Sequence, residues 1–394
     1  MLFDVPDLDD TDAAVLEALD DVRVTLRHAL ARPRRWSGVL RRQIKARAVR
    51  GSNSIEGIEI SGDDAFAIVG GEEDQVSVDQ TWLAAKGYSD AMTYTQILAR
   101  RDPTAFDEST LLALHFMVQG YDLSRNPGSY RHGEIFVRDD DAQQTVYRGP
   151  DADEVPTLMT EYVQEIERLA RRDVPPMVQA AMAHLNLVMI HPFSDGNGRL
   201  SRIMQSMILY REHVAEAEFV SIEEYLGRNT QAYYDVLARV GGGAWNPDGD
   251  AREWLEFVLT AHFRQARTVQ RRIWVLDRIA ERVDAFVDEE KAPARAVPAL
   301  EHVLSGWRLR NTTYRELAEV SANVASRDLN ALVEVGILQR HGAKRGTWYS
   351  PDESLTEWLR GLGDEARARI DIGEDPYRSV RRGEQIGVEP PRRS

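Results

Sequence analysis

Cysteine is absent from this chain of 394 residues, which excludes disulfides and thiolate-held metals and fits a reducing compartment. Long apolar runs are missing too, and no stretch approaches the ~18 residues of a membrane span. The first twenty residues hold no base but seven acids. A secretory signal begins with positive charge, so none is expected and the protein is expected to be cytoplasmic. Acids are missing in turn from Val22 to Ile55, while ten Arg or Lys stand between Arg23 and Arg50. Such a run is ordinarily a solvated helix face paired with acids elsewhere. Glu56 ends the gap, a single carboxylate directly before Gly57. At the end of a helical turn it faces the wrong pole of the helix dipole, so a cation must meet it from another part of the fold.

The chain is 43% hydrophobic and 29% charged, an ordinary globular composition with material for a core. Its length suggests two or three domains. A net charge of −15 argues against coating nucleic acid or an anionic membrane. It leaves room for a nucleotide, whose phosphates need only a few converging donors.

Residues 12 to 50 read as helix, broken near Pro33. Helical spacing of apolar residues recurs in "DQTWLAAKGYSDAMTYTQILARR" and "DESTLLALHFMVQG". The runs "EIFVR" and "TVYRG" flank a polar turn and read as a hairpin over 133 to 149. Helices resume at "EVPTLMTEYVQEIERLARR" and "PPMVQAAMAHLNLVMI", the latter with prolines at its start, where a helix tolerates them. "GGGAWNPDGD" reads as a linker or domain joint. The expected fold is mainly α-helical. Its expected divisions are 1–110, 111–240, 241–297 as linker and helices, a compact unit at 298–350, and a tail at 351–394.

The chemistry concentrates in "HLNLVMIHPFSDGNGRLSRIMQSMILY". One apolar helix ends in a polar loop and another begins at once. Gly196 and Gly198 permit close approach of main-chain N–H groups to a ligand, and those groups stand at a helix start that favours an anion. Arg199 and Arg202, three apart, project from neighbouring positions on the first turn, and two guanidinium forks suit a polyphosphate. Asp195 can hold a divalent cation shared with phosphates. His191 can take a proton from an attacking hydroxyl, an effect worth ~10²–10⁴ in rate. This set implies group transfer from a nucleoside polyphosphate to a hydroxyl. His184, two turns before His191 and ~10 Å away, is too far to share a metal and reads as packing.

"HPFSDGNGRLSR" resembles the signature loop of Fic-domain proteins, H-x-F-x-[DE]-G-N-G-R-x-x-R, at every specified position. The resemblance implies a Fic-type helical core with a hairpin flap and transfer of AMP from ATP to a Ser, Thr or Tyr of a target protein, with self-modification possible. It implies His191 as general base, Phe193 as anchor of the loop, and Asp195 as the ligand of Mg²⁺. Gly196, Asn197 and Gly198 would cradle phosphate, with Asn197 at the α-phosphate, Arg199 at the β-phosphate and Arg202 at the γ-phosphate. The hairpin at 133–149 would align the target segment. "YLGRNTQAYYDVL" resembles the segment near the nucleoside and makes Asn229, Tyr233 and Tyr234 candidates for the base pocket, although Thr230 stands where the family often has a base. Read alone, either tyrosine is equally a core aromatic.

"SNSIEG" resembles the family's inhibitory motif, [ST]-x-x-x-E-[GN], with Ser52, Glu56 and Gly57 at its fixed positions. The implied partner of Glu56 is Arg202, and the implied state is autoinhibited. Residues 298–350 resemble a winged helix-turn-helix with "SANVASRDLNALVEVG" as recognition helix. From 301 to 350, seven bases stand against five acids, a thin surplus for DNA, so protein contact or packing is expected before DNA binding. A homodimer is compatible with the resemblance, and no membrane partner is expected. Two other activities fit the same loop: hydrolysis of AMP from modified proteins, and a DNA-binding regulator with a nucleotide-sensing Fic domain.

Overall fold

The structure, a computed structural model, describes residues 1–31, 34–71, 79–101, 106–139, 144–211 and 221–386. Pro33 and the hairpin turn at 140–143 lie outside the described residues. The chain forms two compact units. One comprises Met1–Val24, Ile44–Ala266 and the stretch from Glu374 onward; the other comprises Thr25–Gln43 and Arg267–Gly373.

The first unit holds the signature loop. Its helices are α1 (Asp10–Ala31, in part), α2 (Ser37–Ile55, from Ile44), α3 (Gly62–Gly70), α4 (Gln80–Arg101), α5 (Glu108–Gln119), α6 (Val155–Arg171), α7 (Pro176–Ile190) and α8 (Asn197–Arg211). Helices α9 (Glu223–Arg228), α10 (Thr230–Gly241) and the start of α11 (Arg252–Asp288) follow. Helix α7 is the central element. Thirteen of its fifteen residues are buried, as its nearly uninterrupted apolar sequence requires. Pro176 opens it where no N–H is needed, and Pro192 forbids its continuation two residues past Ile190. Helix α8 is buried from Asn197 to Leu209 apart from Gly198. The two helices therefore hold the loop between them inside the core.

Strands β1 (Phe136–Asp139) and β2 (Gln144–Arg148) pair antiparallel. "GGGAWNPDGD" does not separate domains, contrary to expectation. Arg148 N–H donates to the Gly243 carbonyl at 3.0 Å and Trp245 N–H to the Arg148 carbonyl at 2.9 Å, so this segment runs parallel beside β2. Glycines at 242 and 243 with positive φ turn the chain back onto the hairpin. The outer edge of β2 is thereby covered at Arg148.

In the second unit, α12 (Val297–Leu304), α13 (Asn311–Ala318) and α14 (Ala322–Glu334) are followed by an antiparallel pair, β3 (Leu338–His341) and β4 (Trp348–Pro351). Leu309 bridges to Tyr349 beside β4. Leu300, Val303, Tyr314, Leu329, Leu332, Ile337 and Tyr349 share one core with Ile279 and Val283 of α11. That core extends beyond 298–350 and takes in part of the expected tail. Residues 353–369 form α15, which buries Leu355 and Leu362, and 376–381 form α16. Asp352 caps α15 by accepting from Leu355 N–H at 2.9 Å.

Candidate active site

The loop begins with a strained residue. His191 caps α7 at φ 51° and ψ 58°, a left-handed conformation uncommon outside glycine that costs ~1–3 kcal/mol. The surroundings hold it there. Its N–H donates to the Leu187 carbonyl at 3.1 Å, and its own carbonyl accepts from Arg131 Nε at 2.8 Å. Arg131 also donates to the carbonyls of Gly133 and Pro150 at 2.8 and 2.7 Å. A buried guanidinium thus ties the signature loop to the base of the hairpin. Tyr147 of β2 adds a bond from its hydroxyl to the Met189 carbonyl at 2.8 Å.

Nδ1 of His191 lies 3.0 Å from the Val188 carbonyl. A carbonyl only accepts, so the proton resides on Nδ1 and Nε2 keeps its lone pair. Burial lowers the imidazole's proton affinity, against the opposing pull of the Val188 carbonyl and Glu56. The ring is therefore held neutral, the form a general base needs.

Phe193 is fully buried and stacks on the His115 ring at 3.6 Å. Its N–H and carbonyl make reciprocal 2.9 Å bonds with the Asn197 amide. The side chain of Asn197 is thus committed inside the loop, which leaves its main-chain N–H, at the start of α8, for an anion. Gly196 sits at φ 78°, and a methyl group there would crowd Gln119 and His115 at 3.2 and 3.3 Å. His115 donates from Nε2 to the Asp195 carbonyl at 2.9 Å and accepts from Gly128 N–H at 2.8 Å. Burial brings its pKa to about 4, so it is a neutral brace. Asp195 accepts from Gly196 N–H at 2.6 Å, and its side chain stays 38% exposed.

Both arginines are buried. Arg199 donates to Gln119 Oε1 at 2.5 Å and to the Tyr121 hydroxyl at 3.3 Å. Arg202 turns toward the end of α2. Its Nε donates to Ser52 Oγ at 2.8 Å, and its Nη2 donates to the Ser52 carbonyl at 3.1 Å and to Glu56 Oε1 at 2.6 Å. Nη1 of Arg202 is buried and, among the described residues, has no hydrogen-bond partner of good geometry, a donor that an incoming anion would satisfy. Burial pushes the Glu56 carboxyl up, but Arg202 and Arg199 together hold it below the usual range. Glu56 also occupies the space over the start of α8, where a methyl on Gly198 would lie 2.4 Å from its Oε1. Gly57, at φ 73°, ends α2 directly after it.

Of the nucleoside candidates, the Tyr233 and Tyr234 rings lie 5.5 Å apart. Tyr233 is buried and bonds to His184 Nε2 at 3.0 Å. Nδ1 of His184 meets Gln205 at 2.6 Å, and burial takes its pKa to about 3, so His184 is a packed, neutral core residue. Tyr234 is 43% exposed and donates to the Ile55 carbonyl, the last of α2, at 2.6 Å. Asn229 donates to the Tyr225 carbonyl at 2.8 Å. Sequence reasoning missed His115, Gln119, Tyr121 and Arg131. Their partners are chiefly main-chain atoms or residues far along the chain, so no local pattern marks them.

Residues 105–209 match the model of the Fic/DOC family. A curated relative, protein adenylyltransferase Fic of Culex quinquefasciatus, is 28% identical over 184 residues, 47% of this chain and 32% of that protein. The protein of the same name from Drosophila sechellia is 25% identical over 291 residues, 71% of this chain and 54% of that protein. The chain thus spans about a third to a half of these relatives' length. A Fic family protein from Desulfovibrio desulfuricans shares the fold with a TM-score of 0.56 at 20% identity, covering 89% of this chain and 98% of its own. A Fic domain containing signaling protein from Bacteroides thetaiotaomicron gives 0.55 at 16%, over 64% and 96%. Among the described residues no helix is long and apolar enough to cross a membrane.

Proposed function

We propose that the protein is a protein adenylyltransferase held off by Glu56. The observation that carries this reading is the Glu56–Arg202 contact of 2.6 Å, made over the same loop that holds a neutral histidine with Nε2 unprotonated. In the transfer, the target hydroxyl oxygen forms a bond to the α-phosphorus of ATP while the bond to the bridging oxygen breaks. Pyrophosphate leaves, and the hydroxyl proton passes to Nε2 of His191. The first-turn N–H groups of α8 face the phosphates, and Arg199 and Arg202 balance their charge.

Asp195 fits Mg²⁺. It is a partly exposed carboxylate, and among the described residues no cluster of three or more His, Asp or Glu could hold a metal alone. Such an ion would arrive shared with phosphate oxygens, as Mg²⁺ prefers, and would offset charge on the leaving group. The target segment would lie along the edge of β1, since the outer side of β2 is taken at Arg148. With Glu56 in place, Arg202 is spent and a carboxylate stands where phosphate must go. ATP is therefore disfavoured in its productive pose. The C-terminal unit is read as a winged helix, supported by three helices followed by a hairpin with Leu309 beside it.

The test is the intact mass of Glu56→Gly protein after incubation with Mg-ATP, beside wild type and Glu56→Gly/His191→Ala. AMP increments on the single variant alone are the expected result. Increments on the double variant would remove His191 as the base, and equal increments on wild type and Glu56→Gly would remove the brake.

A further inference from the structure

Gln119 ends α5 and is fully buried, although a glutamine seldom is. Its amide is used at both ends. Oε1 accepts from Arg199 Nη2 at 2.5 Å, and Nε2 donates to Asp195 Oδ2 at 3.3 Å. A guanidinium only donates and an ionised carboxylate only accepts, so the amide has one possible orientation. Between those two groups, Arg199 Nη2 and Asp195 Oδ1 stand 3.9 Å apart, too far to hydrogen-bond.

We propose that Gln119 is a positioning residue, a neutral spacer that keeps Arg199 and Asp195 from closing on each other. The two carry opposite charges and already stand within ion-pair reach at 3.9 Å, one step short of a hydrogen bond. Arg199 is almost wholly buried, so an unfilled bond there is costly and the nearest anion would be drawn in. Asp195 would then spend its charge on Arg199 rather than on a metal, and Arg199 would lose its aim at phosphate. An amide prevents this because it gives each group the partner it needs and carries no charge of its own. A glutamate would capture Arg199 and repel Asp195; an apolar residue would offer neither group a bond.

The inference rests on the Mg-nucleotide reading of the loop, and the experiment separates the two. Binding of ATP is measured by calorimetry on Glu56→Gly/His191→Ala protein, which does not turn over, once with MgCl₂ and once with EDTA. Gln119→Met, of similar length and volume, is compared in the same background. Metal should tighten ATP binding to the parent, and in the Met variant this gain should shrink at least tenfold, with binding in EDTA changed much less. The Mg²⁺ concentration for half-saturation should rise with it. An unchanged Mg²⁺ gain in the Met variant overturns the spacer alone. A parent that binds ATP equally with and without Mg²⁺ overturns the reading beneath it. Should Gln119→Met fail to fold, Gln119→Glu keeps the acceptor for Arg199 and loses the donor to Asp195. Weakened ATP binding in both conditions is expected there, and parental affinity would sink the proposal.

Discussion

Glu56 and Arg202 form a charge pair in which the guanidinium side chain is 1% exposed and the carboxylate 24%. Breaking such a pair from one side leaves the other charge buried without compensation, which costs ~3–5 kcal/mol. Glu56→Gln keeps the shape and an acceptor, so we expect a loss of about 3 kcal/mol at pH 7, near the lower end of that range. The sign of its pH dependence follows from the carboxyl's depressed proton affinity. Its stabilisation is present above the ordinary value of 4.5 and is lost as pH falls through the lower folded value. Denaturant unfolding of both proteins from pH 7 to pH 3 should therefore show the gap closing below 4.5. A gap that widens toward acid would mean that Glu56 is not held as an anion.

The end of α2 is positioned by contacts that do not involve Glu56. Gly51 lies against α9 so closely that a methyl group would come within 2.3 Å of the Glu223 carbonyl, and Gly227 meets Gly51 Cα at 2.8 Å by the same measure. Tyr234 holds the last carbonyl of the helix. Gly51→Ala must push the helix away, at a cost of ~1–3 kcal/mol for overpacking. The displaced helix should carry Glu56 off Arg202. Self-adenylylation by Gly51→Ala should rise several-fold over wild type while Glu56 itself is intact, alongside a lowered Tm. A lowered Tm with wild-type transfer would leave the brake independent of how the helix packs.

Charge decides what the whole molecule can bind. The count of seven bases against five acids over 301–350 treats every acid as exposed, and two are not. Asp328 turns inward to bidentate 2.7 Å bonds with Arg295 and to Tyr314. Glu301 is buried against Arg35 at 3.0 Å. Three acids, Glu316, Glu319 and Glu334, then remain exposed in this stretch, a more basic outer face than the sequence suggests. The net charge of −15 still opposes a polyanion across the molecule. We expect no retention of a random-sequence DNA duplex by the full chain at about 0.15 M salt, followed by fluorescence anisotropy. Retention that weakens steeply with salt and disappears in Arg327→Glu would make the C-terminal unit a DNA reader.

The sequence by itself determined the signature loop. His191, Asp195, the glycines and both arginines are adjacent in the chain, so their meeting in one loop and turn was legible there. The short motif around Glu56 was legible for the same reason, as was the hairpin from its alternation. Tertiary structure alone decided which groups meet across the chain. Gln119 reaches Arg199 and Asp195 from α5, Arg131 gathers carbonyls from three segments, and Tyr234 grips the helix that precedes Glu56. The side-chain amide of Asn197 braces Phe193, because only the folded loop shows where that amide points. The glycine-rich stretch read as a joint became a strand partner, and an expected tail became two helices, because packing partners distant in sequence decide which backbone groups are covered. Local chemistry is written in consecutive residues, whereas burial and hydrogen-bond partners belong to the fold.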